Sequence, residues 1–175
     1  GVIAPVMVQH GLWDIKKTYW DIPTTWDLFR RQFVFCKKRN QSDLFIDEDK
    51  VAYVGVVSGS FFMIKKSALK QIGYLDESTF LYCEENMLSL DLRDVGLGEI
   101  LSVTDVFFHN HKKRNVRQSL KKKLQIAKIA SKSRISVFTK HYSKAYIPLL
   151  CIIYCINVLL ITIKHLCGSI IRSLK

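Results

Sequence analysis

The sequence predicts an α/β fold, and three observations predict it. Apolar runs of strand length recur between polar stretches, GVIAPVMV at 1–8 and VAYVGVV at 51–57. Two segments of helical length each end on a glycine, Gly73 and Gly96, and glycine suits the left-handed backbone that closes a helix. A third apolar run then leads to His109-Asn110-His111.

Each element follows from its residues. Residues 1–8 read as a buried strand, and residues 9–24 are polar and aromatic with a turn before Pro23. Thr25 carries a hydroxyl able to cap a helix running to about Lys38. Trp26, Phe29 and Phe33 share one face of it, as core packing or, alternatively, as an acceptor-binding wall. A polar loop over 39–50 precedes the strand at 51–57, which Ser58-Gly59-Ser60 breaks and Phe61–Ile64 resumes. Small residues at that break let the backbone approach a ligand or another strand; a plain bulge is the other reading. Ser67 is the expected N-cap of the helix closed by Gly73.

Glu84 and Glu85 open the next helix, whose apolar face is Leu88, Leu92 and Val95. Free N–H groups in a first turn favour negative charge. The pair is therefore either a helix-end device or a carboxylate held ready to take a proton. His109 and His111 point the same way from a strand and could ligate a divalent metal, although most H-x-H pairs do not.

Charge divides the 175-residue chain sharply. Residues 1–111 hold 12 Lys/Arg against 15 Asp/Glu, residues 112–144 hold 12 Lys/Arg and no acid, and residues 145–175 hold 3 Lys/Arg and no acid. The +12 total thus belongs to the second part of the chain. Residues 115–140 read as a basic amphipathic helix, with Val116, Leu120, Leu124 and Ala127 on one face and Lys121, Lys122, Lys123, Lys128 and Lys132 elsewhere. Directly afterwards, Ala145–Ile163 runs 19 residues without a charge, interrupted only by Asn157. At helical rise that is roughly 28 Å, close to a bilayer core of about 30 Å. The pairing favours anionic membrane lipids over nucleic acid as the basic segment's partner. The apolar helix spans or lies in-plane; if it spans, the basic side faces the cytoplasm. Cys36, Cys83, Cys151, Cys155 and Cys167 include no C-x-x-C and read as reduced thiols.

The ordered set between Ser58 and His111 resembles the C-terminal half of the catalytic domain of family 2 glycosyltransferases, rhamnosyltransferase-like members especially. Its matching residues are Gly59, Met63-Ile64-Lys65-Lys66, Gly73-Tyr74-Leu75-Asp76-Glu77, Phe80-Leu81-Tyr82, Glu84-Glu85, Leu88, Leu92-Arg93, Gly96 and His109. The resemblance implies part of a GT-A α/β layer sandwich over residues 1–111, followed by the basic segment 112–144 and the membrane segment 145–175. It implies sugar transfer from a nucleotide-sugar donor to a glycan or polyprenyl-linked acceptor in cell-surface polysaccharide synthesis, at the cytoplasmic face of a bacterial inner membrane. Glu85 inherits the role of catalytic base with Glu84 beside it, Ser58, Gly59 and Ser60 border the substrate, and His109 helps hold a Mg or Mn ion. Three positions depart from the family pattern. Glu85 stands where Asp is usual, Met87 replaces a further acid, and Asp91 replaces a basic residue. No Asp-x-Asp occurs in a suitable context, so the chain reads as the acceptor side, with a donor-binding half expected elsewhere. Alone it is expected to bind no nucleotide sugar. The alternative is an inactive remnant or a membrane-anchored, non-catalytic partner subunit.

Overall fold

The computed structural model describes residues 1–9, 11–33, 36, 39–79, 81–109 and 118–173, without the side chains of 168–173. Phe80, His111 and Val116, singled out above, lie outside the described residues. Along the chain come β1 (Val2–Gln9), β2 (Leu12–Trp13), α1 (Ile15–Thr18), β3 (Tyr19–Trp20) and α2 (Thr25–Arg30). Then follow β4 (Val51–Val54), β5 (Val56–Val57), β6 (Met63–Ile64), α3 (Lys66–Gln71), α4 (Glu84–Asp94) and β7 (Glu99–Phe108). The chain ends with α5 (Leu120–His141), a 3-10 turn (Lys144–Tyr146) and α6 (Ile147–Ser173). They form two compact units, one of residues 1–24, 39–77 and 84–113, the other of 25–38, 78–83 and 114–175.

The first unit is mixed α/β. Its main sheet runs β2-β1-β7-β4, with β6 also on the β2 side of β1. β1 and β7 are parallel, whereas β4 is antiparallel to β7. Val2, Ala4, Val6 and Val8 of β1 are buried, as expected for alternate residues facing a core. Val2, Ala4 and Val6 pack with Leu101 of β7, Val57 of β5 and Leu88 and Leu92 of α4. The β1–β7 register shifts between Pro5 and Val6, where β7 bulges through Val103–Asp105; the Ser102 hydroxyl donates to Asp105 Oδ2 (2.6 Å) across that bulge.

The strand expected over 51–57 divides at Gly55. Beyond it, β5 leaves the main sheet and pairs antiparallel with β3. A Cβ at Gly55 would lie 2.4 Å from the Ile22 backbone nitrogen, so the crossing requires glycine. The strand expected from Phe61 shrinks to Met63–Ile64 on the edge of β1, and the Phe61 ring stacks on Phe107 instead, at 5.6 Å.

Both helix-closing glycines behave as expected. Gly73 (φ 75°) and Gly96 (φ 73°) are left-handed. After α3, Gly73 N–H donates to the Lys70 carbonyl and Tyr74 N–H to that of Leu69; after α4, Gly96 and Leu97 repeat the pattern on Arg93 and Leu92. This double bond satisfies carbonyls that a bare helix end would leave unpaired. Ser67 is not the cap: it lies inside α3, and Lys65 occupies the capping position with no side-chain bond.

In the second unit, α2 stops at Arg30 rather than near Lys38. The backbone tightens there, with Gln32 N–H on the Phe29 carbonyl and Phe33 N–H on that of Arg30. Tertiary bonds hold the break open. Gln32 Nε2 donates to the Leu150 carbonyl (2.8 Å), and Asn157 Nδ2 donates to the Gln32 carbonyl (2.6 Å). Of the aromatic stripe, Phe29 is buried against Phe138 and Tyr146, but Trp26 is 72% exposed and is not core.

Helix α5 starts at Leu120, capped by the Ser119 hydroxyl accepting from Lys122 N–H. Its buried residues are Ser131, Ser133, Val137 and Phe138, so its core face lies in the C-terminal half. Leu120, Leu124 and Ala127, expected as the apolar face, are only half-buried. The stretch Lys144–Cys167 is long and apolar enough to span or anchor in a membrane, and 17% of its most apolar window is buried in protein.

Candidate active site

The first turn of α4 gathers the polar residues of the first unit. Leu88 and Leu92 anchor the helix in the core, yet Asn86, Ser89 and Asp91 are buried too. Buried polar groups need partners, and those partners shape the site. Trp20, 1% exposed, donates its indole N–H to Asn86 Oδ1 at 2.9 Å. The Arg39 guanidinium lies 3.4 Å above the Trp20 ring centre, a cation–π geometry. A cation is thereby fixed beside the helix end that carries Glu84 and Glu85.

The Ser58-Gly59-Ser60 break and the Glu84-Glu85 pair, 25 residues apart in the chain, meet here. Gly59 N–H donates to Glu85 Oε1 at 3.3 Å. A Cβ on Gly59 would sit 3.0 Å from Glu85 Cγ and 3.1 Å from Oε1, so a side chain there would push the carboxylate aside. Ser58 N–H bonds the Thr18 carbonyl at 2.7 Å, and the Ser58 and Ser60 hydroxyls pair at 3.1 Å. These bonds brace the turn against Glu85. Burial of part of Glu84 raises its carboxyl above the usual range; its own backbone N–H opposes this, Glu85 adds to it, and Arg39 opposes it.

Glu99, at the start of β7, is a site residue that the sequence reading missed. It is 2% exposed. Its Oε2 accepts from Val57 N–H and its Oε1 touches Ser89 Oγ, both at 2.5 Å. Burial pushes its carboxyl up to about 7, with the Ser89 and Val57 donors acting downward and Glu85 acting upward. Ser89 Oγ also lies 2.8 Å from the Glu85 carbonyl, so one side chain ties the buried acid to the first turn of α4. No local pattern in residues 97–101 signals this; a glutamate opening a strand looks solvent-facing until Val57 and Ser89 fold over it.

His109 directly follows β7, with its N–H on the Val8 carbonyl and its ring 6.2 Å from that of Phe107. The Phe61–Phe107 stack links this strand end to the residues after the Gly59 turn. Among the described residues, no group of three or more His, Cys, Asp and Glu side chains is placed to hold a metal ion. His109 by itself offers one ligand, and a Mg or Mn ion held there would need further oxygen ligands.

The first unit thus presents two carboxylates at a helix N-terminus, one braced by a glycine turn, with a stacked arginine alongside and a buried acid behind. Such a set can accept a proton from a hydroxyl held against Glu85. No protein-family model, curated protein or solved structure matches the chain.

Proposed function

We propose that the chain is the acceptor-side part of a family 2-like glycosyltransferase of GT-A type, acting on a glycan or polyprenyl-linked acceptor at the cytoplasmic face of a bacterial inner membrane. The observation that carries this reading is the closure of Gly59 onto Glu85. Two segments singled out separately in the sequence join into one site, and both belong to the motif order of that family. In this reading the acceptor hydroxyl attacks the anomeric carbon of the donor sugar. A new carbon–oxygen bond forms, the bond to the nucleotide diphosphate breaks, and Glu85 takes the hydroxyl proton. Gly59 N–H holds the carboxylate in position, and Arg39 supports an ionised Glu84. A nucleotide pocket and metal ligands come from a donor-binding half, upstream or on a separate chain. The α5–α6 segment keeps the domain near its lipid-linked acceptor.

A second reading draws on the same bond. A carboxylate already engaged by its own backbone can serve as a loop clamp, which suits an inactive remnant or a non-catalytic partner subunit. Labelled-sugar transfer to membrane lipid, by the chain together with its donor-binding half, separates the two. Glu85→Gln should lower turnover by ~10²–10⁴-fold and leave donor affinity nearly intact, because the amide keeps the shape but takes no proton. Unchanged turnover removes Glu85 as the base and leaves the clamp.

A further inference from the structure

We propose that the α5–α6 hairpin lies in the plane of one membrane leaflet and does not cross the bilayer. This rests on the membrane reading of the apolar segment and makes it more specific. The two helices run antiparallel, closed by a short turn, with Phe138 of α5 5.8 Å from the Tyr146 ring. Further along, Lys123, Ser131 and Arg134 of α5 line one cavity of about 320 Å³ with Tyr154, Asn157 and Ile161 of α6. Helix α5 therefore accompanies α6 as far as its midpoint.

That packing conflicts with a transmembrane α6. If α6 crossed, Lys128, Lys132 and Arg134 would sit near the bilayer midplane beside Tyr154–Ile161. Lys128 and Lys132 are exposed, and residues 112–175 contain no acid to neutralise them. Unpaired charge at that depth is strongly disfavoured. Lying flat removes the conflict. Leu149, Ile152, Ile156, Leu159, Ile163 and Leu166 are all at least 41% exposed, and their alternating spacing of three and four makes one continuous stripe. By helical geometry the stripe lies opposite the α6 face that carries Leu150 and Asn157, which are buried. With the stripe at the boundary between acyl chains and headgroups, α5 rides above it and its lysines stay at or above headgroup level. Exposed Trp26 and part-exposed Tyr146 line an apolar groove together with Leu149, Ile152 and Ile156 of the stripe, as aromatic side chains do at that boundary. A second copy of the chain is the weaker occupant, since it would bring another wholly basic hairpin against the first.

The test uses the full chain with its five native cysteines replaced by serine and single cysteines at Ile152, Leu159 or Leu166. Each is spin-labelled and bound to vesicles of phosphatidylcholine with phosphatidylglycerol. An in-plane hairpin puts all three labels at one shallow depth and leaves a C-terminal tag open to added protease. A Leu159 label far deeper than the other two, with the tag protected, overturns the proposal but keeps membrane attachment. No vesicle binding, with or without self-association in solution, overturns both. In the chain with native cysteines, Leu159→Asp should weaken vesicle binding about tenfold or more; unchanged binding also overturns the proposal.

Discussion

Helices α4 and α6 reverse the usual relation between polarity and exposure. Helix α4 buries Asn86, Ser89 and Asp91, whereas α6 leaves leucines and isoleucines open along its length. In α4, Asn86 answers the Trp20 indole and Ser89 lies between Glu99 and the Glu85 carbonyl. The interior can hold polar groups because each meets a partner. In α6, the interior needs only one side, where Asn157 and Leu150 are joined through Gln32. The remaining face has nothing in the described protein to cover it, and a stripe of that length signals a partner surface. A polar interior thus marks the candidate chemistry, and an apolar exterior marks the proposed attachment.

The largest effect is expected at Glu99. Its folded value of about 7 lies above the ordinary 4.5, so between those values the folded chain holds a proton that the unfolded chain has released. Glu99's contribution is therefore greatest below about pH 4.5 and is lost as pH rises through about 7, an effect on the order of 3 kcal/mol. Glu99→Gln should remove that slope. The amide oxygen can accept from Val57 N–H while the amide nitrogen donates to Ser89. Urea unfolding of both proteins at about pH 5 and about pH 8 checks this, with equal slopes counting against a buried neutral acid.

A smaller effect is expected from Asn86→Ala. It strands the buried Trp20 N–H and should cost about 1–3 kcal/mol. The denaturation midpoint should fall without a change in slope. A loss near zero would mean that the α4 interior tolerates unpaired polar groups after all. The smallest effect belongs to α6. Leu159, 59% exposed, should change folding stability by less than about 0.5 kcal/mol when replaced by serine, while lowering retention in a membrane fraction. A large loss of stability in detergent-free solution would place that stripe in a protein core.

Some features were legible because they depend on near neighbours in the chain. The glycines that end α3 and α4, the strand at 2–9 and the basic run before the apolar one follow from local backbone geometry and local charge. Positions with several competing partners were not legible. Thr25–Lys38 has a helical pattern, but Gln32 gives its amide and carbonyl to α6 and the helix ends at Arg30. The strand over 51–57 divides because Gly55 meets the backbone of Asp21 and Ile22, thirty and more residues away.

The candidate site divides in the same way. That Glu84 and Glu85 open a helix and that Ser58-Gly59-Ser60 interrupts a strand follows from neighbouring residues alone, since turn chemistry and helix-end preference act within a few residues. That the two meet, that Arg39 stacks on Trp20 beside them, and that Glu99 lies behind them with a raised carboxyl emerges from the folded arrangement. The difference is one of range. Backbone preference is spent locally, whereas desolvation and hydrogen-bond partnership depend on whichever segments the fold brings within about 3 Å.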